Sequence, residues 1–412
     1  MAGKKMLFST FGKVLLLAAL WPVQALAVPT CESTYSRRTD YIHTSAQILS
    51  TGVTISALRD LPIGSVLFRQ YIQPVNMSSG VRNCTLSSPD LETEKIYYSA
   101  YWEPDGALPA VSGQYNGGNV YETGVPGIGM TVGSNKNALL NTLPFRNNFY
   151  TTVGEGNAMA ASTRMIGSDG LEVLLVKTGN IAAGTWNVPI NYPPIVYYVK
   201  YEANLLNPPT QAPFTDYGYR LTISGSVNVV AGTCQTPDIN VPMGTHSINR
   251  QTQTTEWVNF NLQLNNCPPM YGRYNRKSPD TYSTAMISWV DNTANSSGEI
   301  VKSIGKPDTP NDISFRLNPV SGYQTLAAGG SCAALTSDSD TAKGMCIEIQ
   351  NNASENILTN SQANILTDAN LALQQTTASY AIPLKARYAR NTESALTGGK
   401  ANAAVEFTIN YQ

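Results

Sequence analysis

The sequence predicts an all-β protein built from two β-sandwich domains, on the evidence of its composition and its apolar pattern. Only 13% of the 412 residues are charged, whereas the chain contains 32 glycines and 24 prolines. Helical periodicity is almost absent. Short runs that alternate apolar and polar residues are separated by stretches rich in Gly, Pro, Asn, Thr and Ser. Short strands with frequent turns are typical of sandwiches.

The alternation is clearest in the C-terminal half of the chain. In residues 258–264 every second residue is apolar, and the residues between are Asn or Gln. The same period of two recurs at residues 313–317, 347–349 and 380–388. Because successive side chains of a strand point to opposite faces, this pattern predicts half-buried strands.

Residues 1–27 have the features of a secretory signal peptide. Three lysines accompany the apolar run 14–21, and the small-x-small sequence Ala25-Leu26-Ala27 follows. The apolar run is too short for a membrane-spanning helix, and its flanks match those of a cleaved signal. We therefore expect an exported chain whose mature form begins at Val28.

The mature chain is long enough to form two domains, each with its own core. Residues 219–230 alternate like the final strand of a first domain, and the small residues Ala231-Gly232-Thr233 lead from it to Cys234. A second candidate boundary, the proline-rich stretch 207–215, is better explained as an exposed loop. We therefore predict domains at residues 28–231 and 232–412.

All six cysteines lie in the exported part of the chain, where an even number indicates disulfides. Sequence alone leaves many connectivities open. Sequential pairing keeps each bond within one domain, and each such loop would contribute roughly 3 to 4 kcal/mol. The sequential pairs are Cys31 with Cys84, Cys234 with Cys267, and Cys332 with Cys346. A metal site is the alternative, but no CxxC pair occurs and the chain contains only two histidines.

The near-neutral charge and the residue types argue against several classes of function. The formal net charge is −1, and no basic stripe indicates a nucleic-acid partner. His43 and His246 are the only histidines, and neither lies in a motif for nucleophilic catalysis. We expect no metal, no cofactor and no catalysis.

The last fourteen residues form the most informative motif. From Ala401 to Tyr411 every second residue is apolar, and the opposite face is polar except for Ala404. This pattern predicts a half-buried strand at the end of the chain. We expect the sandwich that ends here to have an unfilled groove.

A Gly at position 399, the alternating apolar residues and the penultimate Tyr411 resemble the C-terminal signature of pilins of the chaperone/usher pathway. Residues 386–390 resemble the corresponding region of type 1 fimbrial subunits, and Cys234 with Cys267 matches that family's early disulfide. The resemblance implies an incomplete immunoglobulin-like pilin domain that lacks its last strand. It also implies that a periplasmic chaperone, and later a strand donated by the adjacent subunit, fills the groove. The residues assigned to these contacts are Gly399, Val405, Phe407, Ile409, Tyr411 and the terminal carboxylate of Gln412.

The position of the pilin domain in the chain indicates a place in the fibre. Only three residues precede Cys31 in the mature chain, so we expect a subunit that accepts a strand and donates none. The resemblance places such subunits at the fimbrial tip, outside the cell, after export through the outer-membrane usher. The sequence thus predicts a tip adhesin whose N-terminal domain is lectin-like and binds a receptor. A glycan is the favoured receptor, and a protein is the alternative.

The first domain resembles the type 1 fimbrial tip adhesin in its cysteine spacing only. That adhesin uses an aromatic mature N-terminus and an Asn-Asp pair after the second cysteine for mannose, whereas this chain has Val28 and the sequence 85–90 there. Two clusters of short polar and aromatic residues are candidate ligand sites. The first contains Asp90, Asn207, Gln211, Asp216 and Tyr217, and the second contains Trp102, Asp105, Tyr115 and Asn116. Solvated loops with a packed aromatic are the alternative explanation of both clusters.

Three functions are therefore distinguished. The first is a tip adhesin, and the second is a non-adhesive structural tip or adaptor subunit. The third is an exported β-sandwich hydrolase, which would require turnover of a glycan.

Overall fold

The computed structural model of the chain contains strands, turns and loops and, in the described residues, no helix that is long and apolar enough to cross a membrane. Side chains are described for residues 54–70, 72, 101–133, 171–198, 219–275, 307–311, 313–358, 378–393 and 395–411. For the other strands given below, and for residue 134, only the backbone is described. The predicted all-β class is confirmed. The signal peptide and the residues before Thr30 lie outside the described residues.

Seventeen of the described strands precede Cys234. They are β1 Thr30–Ser33, β2 Ile42–Gln47, β3 Thr54–Ser56, β4 Val66–Ile72, β5 Val81–Thr85, β6 Thr93–Pro104, β7 Val111–Tyr115, β8 Gly118–Glu122, β9 Ile128–Ser134, β10 Asn141–Thr142, β11 Phe145–Gly154, β12 Met159–Ser162, β13 Leu171–Lys177, β14 Gly184–Pro189, β15 Ile195–Tyr201, β16 Phe214–Ser224 and β17 Ser226–Ala231.

These strands form four sheets. The strand orders are β4-β13-β9-β8-β7 with β10 beside β9, β11-β6-β15-β16-β2, β14-β17-β3 and β1-β5-β12. β2 runs parallel to β16, and β3 runs parallel to β17, whereas the other described pairs here are antiparallel. Apolar residues from the first three of these sheets form one core, which includes Leu67, Leu175, Ile195 and Leu221.

Ten strands follow. They are β18 Val258–Cys267, β19 Ala285–Met286, β20 Ile300–Val301, β21 Ile313–Pro319, β22 Tyr323–Thr325, β23 Ser331–Ala333, β24 Met345–Asn351, β25 Asn364–Ile365, β26 Ala378–Arg390 and β27 Val405–Tyr411. They form the sheets β18-β26-β24-β23-β22 and β25-β21-β27 and the pair β19-β20. The predicted strands at 258–264, 313–317, 347–349 and 380–388 are all present.

The two larger C-terminal sheets enclose a second core. Their inward side chains include Leu264, Phe315, Ile349 and Leu384, all of which are buried. The two described disulfides, Cys234–Cys267 and Cys332–Cys346, agree with the sequential pairing. The side chains of Cys31 and Cys84 lie outside the described residues, so their bond stays a prediction. The backbones of β1 and β5 place these two residues opposite each other.

The single strand expected at residues 219–230 is instead two strands. Gly225 adopts a φ of 119° between β16 and β17, a backbone conformation that favours glycine. β16 pairs with β15 and β2, whereas β17 pairs with β14 and β3. The chain therefore crosses from one sheet to another at Gly225, and an alternating pattern that continues through the crossing conceals the break.

The two cores exchange one side chain each. Leu58, from the turn after β3, is 2% exposed and belongs to the C-terminal core. Tyr274, from the loop after β18, belongs to the N-terminal core, where its ring meets the edge of Phe68 at 5.9 Å. Backbone hydrogen bonds from Ser56 N to Gly272 O and from Tyr274 N to Leu67 O join the same segments. The two halves of the chain are thus packed together by reciprocal contacts. The domain boundary after residue 231 remains a prediction.

Replacing Cys332 and Cys346 together by alanine is expected to lower the free energy of unfolding by about 3 kcal/mol. The bond joins β23 to β24 across a sequence separation of 14 residues. Urea unfolding of the full chain, followed by circular dichroism in the far ultraviolet, measures the loss. The unmodified chain under reducing conditions is not a clean control, because both described disulfides would open. An unchanged unfolding midpoint in the double variant would contradict the expectation.

Candidate functional site: an apolar groove beside β27

An open groove of about 900 Å³ lies between the two C-terminal sheets. One wall is the extended segment 236–244, and the other is formed by residues 401–408. The floor consists of apolar core side chains together with Tyr388. These floor residues are Phe260, Leu262, Leu317, Ile347, Ile349, Ala386 and Tyr388. The groove therefore has the shape of a channel with an apolar floor.

Alternate side chains of β27 point toward this groove, as its sequence predicts. Ile409 and Tyr411 are buried, and Val405 and Phe407 on the same side are partly buried against the core. Glu406 and Thr408 on the opposite face are exposed. The two apolar residues nearest the open part of the groove thus remain incompletely covered.

The backbone of β27 has one strand partner among the described residues, β21. The hydrogen bond from Val320 N to Ala404 O shows that the backbone groups of Ala404, just before β27, face the β21 side. In an antiparallel pair, the residues whose N–H and C=O face the partner strand alternate with residues whose N–H and C=O face away from it. The N–H and C=O groups of Val405, Phe407, Ile409 and Tyr411 therefore point away from β21, toward the groove side. This edge offers a row of backbone donors and acceptors.

The N-terminal half of the protein occupies the far end of that edge. Asp60 N donates to Tyr411 O at 3.0 Å, and Tyr411 N donates to Asp60 Oδ2 at 3.0 Å. Arg59 Nη2 donates to Ile409 O at 3.0 Å, and the Arg59 guanidinium lies 5.5 Å from the centre of the Tyr411 ring. Two residues of the turn after β3 thus bond to Tyr411 and Ile409 in the manner of a short partner strand.

The turn that carries these residues is held by several charged contacts. Arg59 Nε and Nη2 donate to the two carboxylate oxygens of Asp60 at 2.8 and 2.9 Å. Lys177 Nζ, on β13, donates to the carbonyl oxygens of Leu58 and Arg59. Lys177 is 3% exposed, and burial lowers the pKa of its ammonium group. The position of Arg59 and Asp60 is therefore set by the N-terminal fold.

The carboxylate of Asp60 is favoured in its charged form. Burial alone would raise its pKa, but the hydrogen bonds from Arg59 and from the Tyr411 N–H outweigh burial, with help from the charges of Arg59 and Lys177. The pKa of Asp60 consequently lies below its ordinary value. Burial raises the pKa of the nearby Tyr411 phenol. The Asp60 carboxylate is therefore ionised at neutral pH, as an acceptor for a backbone N–H requires.

Gly399 stands at the entry to the β27 wall, where two chain segments come into close contact. Lys400 N donates to Asp340 O at 2.7 Å, and Ala342 N donates to Lys400 O at 2.9 Å. A Cβ atom at position 399 would collide with the carbonyl oxygen of Asp340. Glycine at this position thus permits the approach that aligns residues 401–408. Gln412, the last of the predicted contact residues, lies outside the described residues.

The first predicted ligand cluster is described only in its backbone. Asp90, Asn207 and Gln211 lie outside the described residues. Asp216 and Tyr217 are on β16, where they pair with Val199 and Tyr198 of β15, and nothing is described of their side chains. This cluster stays a prediction.

The structure distributes the second predicted cluster over separate environments. Trp102 is 4% exposed and packs against Tyr197 in the core, with ring centres 4.6 Å apart. Asp105 forms an ion pair with Arg220 at 2.6 Å. Tyr115 accepts a hydrogen bond from Arg69, and Asn116 occupies the turn between β7 and β8 with a φ of 48°. These contacts place Trp102 in the core, Asp105 in a surface ion pair and Asn116 in a turn. A part for the four residues in ligand binding stays a prediction.

No group of three or more His, Cys, Asp or Glu side chains that could hold a metal ion occurs among the residues whose side chains are described. His246 Nε2 lies 2.7 Å from Met243 O, and its ring meets Tyr388 edge-on at 5.8 Å. His43 lies on β2, and its side chain is outside the described residues. The groove is therefore the site that the described residues define best.

Sequence reasoning found one wall of the groove and missed two features. The segment 236–244, the opposite wall, has apolar residues at Ile239, Val241 and Met243, but Pro237 and Pro242 interrupt the run and no strand was predicted there. Arg59 and Asp60 stand in the ordinary turn sequence Leu58-Arg59-Asp60-Leu61-Pro62, about which local pattern says nothing. Their partners are 350 and 351 positions away, a separation that only the folded structure can reveal.

Comparison with known proteins gives a match for the C-terminal half. Residues 221–412 match the family model described as fimbrial protein. A search of the curated proteins finds no significant match. Among solved structures, the CupB6 tip adhesin of Pseudomonas aeruginosa shares 15% identity over 93% of this chain and 94% of its own, with a TM-score of 0.27. The CsuC–CsuE chaperone–tip adhesion subunit complex of Acinetobacter baumannii gives 10% identity over 92% and 99%, with a TM-score of 0.21.

Acidification is expected to weaken the contact between Asp60 and Tyr411. Because the folded pKa of Asp60 is lowered, its contribution to stability is complete above the ordinary aspartate pKa of about 3.9 and is lost as pH falls through the lower folded value. The difference in unfolding free energy between the wild-type chain and Asp60→Asn should therefore shrink from pH 7 to pH 3. Urea titrations at each pH measure it. Asp340→Asn, at an exposed acid, is the control, and a difference that is independent of pH would contradict the assignment.

Proposed function

We propose that this chain, whose residues 221–412 match the family model described as fimbrial protein, is a tip adhesin of a chaperone/usher pilus and joins the fibre by accepting a β-strand from the adjacent subunit. The observation that carries this proposal is the open edge of β27 beside a groove with an apolar floor. The receptor-binding part is assigned to residues 28–231 and the pilin domain to residues 232–412.

The groove suits a strand as its ligand. A strand laid beside β27 would satisfy the outward backbone groups of Val405 and Phe407, and its alternate side chains would cover the apolar floor. Backbone hydrogen bonds give affinity in this mode of recognition, and alternating pockets give register. Covering a Val or Phe side chain completely contributes about 1.5–3 kcal/mol. An uncovered edge of this kind also favours aggregation, which explains the need for a periplasmic chaperone.

The segment ahead of the pilin domain is committed to the N-terminal fold, which supports a position at the tip. A subunit inside the fibre needs a free extended segment before its pilin domain to donate onward. Here that segment is β17, which pairs with β14 on one side and with β3 on the other. Only Gly232 and Thr233 separate β17 from Cys234. The domain can thus accept a strand, whereas the segment before it is not available for donation.

Assembly at the tip implies a sequence of partners and places. We assign the chain to export through the periplasm, where a fimbrial chaperone holds the groove, then to the outer-membrane usher and the adjacent pilin subunit. Its final location is the fimbrial tip at the cell surface. The N-terminal domain then faces outward, and we propose a receptor for it, with a glycan as the first class to test. Asp90, Asn207, Gln211, Asp216 and Tyr217 are the residues proposed for that contact.

A synthetic peptide that alternates valine and threonine over twelve residues is expected to stabilise the full chain when the chain is refolded with it. At a peptide concentration of about 100 times Kd the gain is about 2.7 kcal/mol, which corresponds to a rise on the order of 3 °C in the thermal midpoint of a chain of this length. A peptide of the same composition with its valines clustered at one end cannot fill alternate pockets and serves as the control. Equal effects of the two peptides, or no effect of either, would refute strand acceptance.

The adhesin assignment predicts that the full chain, stabilised by the alternating peptide, binds a defined set of glycans on an array. Simultaneous replacement of Asn207 and Asp216 by alanine should reduce that binding by about ten-fold or more, because two ligand hydrogen bonds are lost together. The double variant Asn187→Ala with Asn228→Ala, at an exposed hydrogen-bonded pair on β14 and β17, is the matched control. Assembly into fibres without binding to any glycan or host surface would instead support the structural tip or adaptor subunit.

A further inference from the structure

The edge of β27 divides into an open part and a part that the N-terminal half already occupies. Tyr411 exchanges two hydrogen bonds with Asp60, and Ile409 O accepts one from Arg59. Along β27 the groove is lined by residues up to Thr408 and not beyond. The groove therefore ends where Arg59 and Asp60 begin.

The bonds of Asp60 imitate those of a partner strand. Its N–H and one carboxylate oxygen bond to the C=O and N–H of the same residue, Tyr411, which is the pattern of a hydrogen-bonded antiparallel pair. A strand that entered the groove and continued past Thr408 would have to replace these bonds. It would also meet the Arg59 side chain, which lies against Ile409 O and the Tyr411 ring.

Several contacts hold this end of the groove in place. Three sets of contacts fix the turn after β3. They are the Arg59–Asp60 ion pair, the hydrogen bonds of Lys177 to the turn, and the burial of Leu58 in the C-terminal core. Displacing it would expose Leu58 and would leave the buried ammonium group of Lys177 without two of its carbonyl partners. A strand that stops short of it avoids these losses.

We infer that Arg59 and Asp60 form an end stop that sets the register of the strand donated into the groove. The inference rests on the proposed strand acceptance and deepens it. It assigns to the N-terminal domain a specificity-determining role in pilus assembly: the donor strand pairs with β27 only as far as Thr408, and its leading residue abuts the Arg59–Asp60 pair. Because a shift by one residue would turn apolar side chains away from the floor, alternative registers differ by two residues.

Cross-linking measures the register directly. The full chain carrying Thr408→Cys, whose side chain is exposed on the face away from the core, is refolded with the alternating valine–threonine peptide. A single cysteine is placed in turn at each threonine position of the peptide. We expect one peptide position to carry most of the disulfide. When Arg59 and Asp60 are both replaced by alanine, the product at the position two residues away should rise by about five-fold or more relative to the first.

Conservative and remote variants make the experiment decisive. Asp60→Asn retains an acceptor for the Tyr411 N–H and should keep the original register. The double variant Asp105→Ala with Arg220→Ala, at the surface ion pair, should also keep it. An unchanged distribution of cross-links in the Arg59→Ala, Asp60→Ala chain would overturn the end stop while leaving strand acceptance intact. Failure of the Thr408→Cys chain to capture any peptide would instead refute strand acceptance, and the end stop with it.

A second measurement does not depend on peptide capture. In the free chain, hydrogen exchange at the Tyr411 amide should be slow because Asp60 accepts its proton, and Asp60→Ala should accelerate it by about five-fold or more. Amides in β24, which lies in the other sheet, should be unaffected and report that the variant is folded. Unchanged exchange at Tyr411 beside unchanged exchange in β24 would show that the contact does not close this end of the edge.

Discussion

A β-strand at the edge of a sheet has half of its backbone hydrogen-bonding groups without a partner strand. The organisation of the C-terminal half follows from how these groups of β27 find partners. One edge of β27 is paired with β21. The other edge is bordered by the groove from Ala401 to Thr408 and is bonded to Asp60 and Arg59 at its end. The apolar floor and the partly buried Val405 and Phe407 make a β-strand the ligand best suited to fill the open part. The proposed strand acceptance and the proposed register thus both rest on the same edge.

Leu58 and Tyr274 each pack in the core of the other half of the protein. This packing holds Asp60 and Arg59, the second partner of β27, at the end of the strand. A turn that belongs to the N-terminal strands reaches into the C-terminal core, and a loop of the C-terminal half reaches back. Both anchors are apolar side chains removed from water, so the packing between the halves is stabilised by burial as well as by hydrogen bonds. The position of Asp60 on β27 is therefore a product of both cores, and the groove is completed by both halves of the protein.

Much of the fold could be predicted because alternation is a local property. The strands β18, β21, β24, β26 and β27 each show a period of two, and the spacing of the cysteines suggested the two disulfides that the structure describes. The break at Gly225 could not be predicted, since the alternation runs through it unchanged while the chain passes between sheets. Trp102 illustrates a different limit. An aromatic residue near polar ones has the same appearance in sequence whether its ring faces a sugar or packs against Tyr197 in a core.

In the proposed fibre, the contact between Asp60 and Tyr411 would also determine how mechanical load passes through the molecule. Tension on a fibre would reach this subunit through a strand lying along β27 and would act parallel to that strand, so that several hydrogen bonds resist it at once. The covalent connection to the N-terminal half consists of Gly232 and Thr233, the two residues that follow β17. The Asp60–Tyr411 bonds and the Leu58 anchor provide a second path that begins at the loaded strand itself. Force would then be shared between the link and the interface, and the two halves would tend to move as one body under flow.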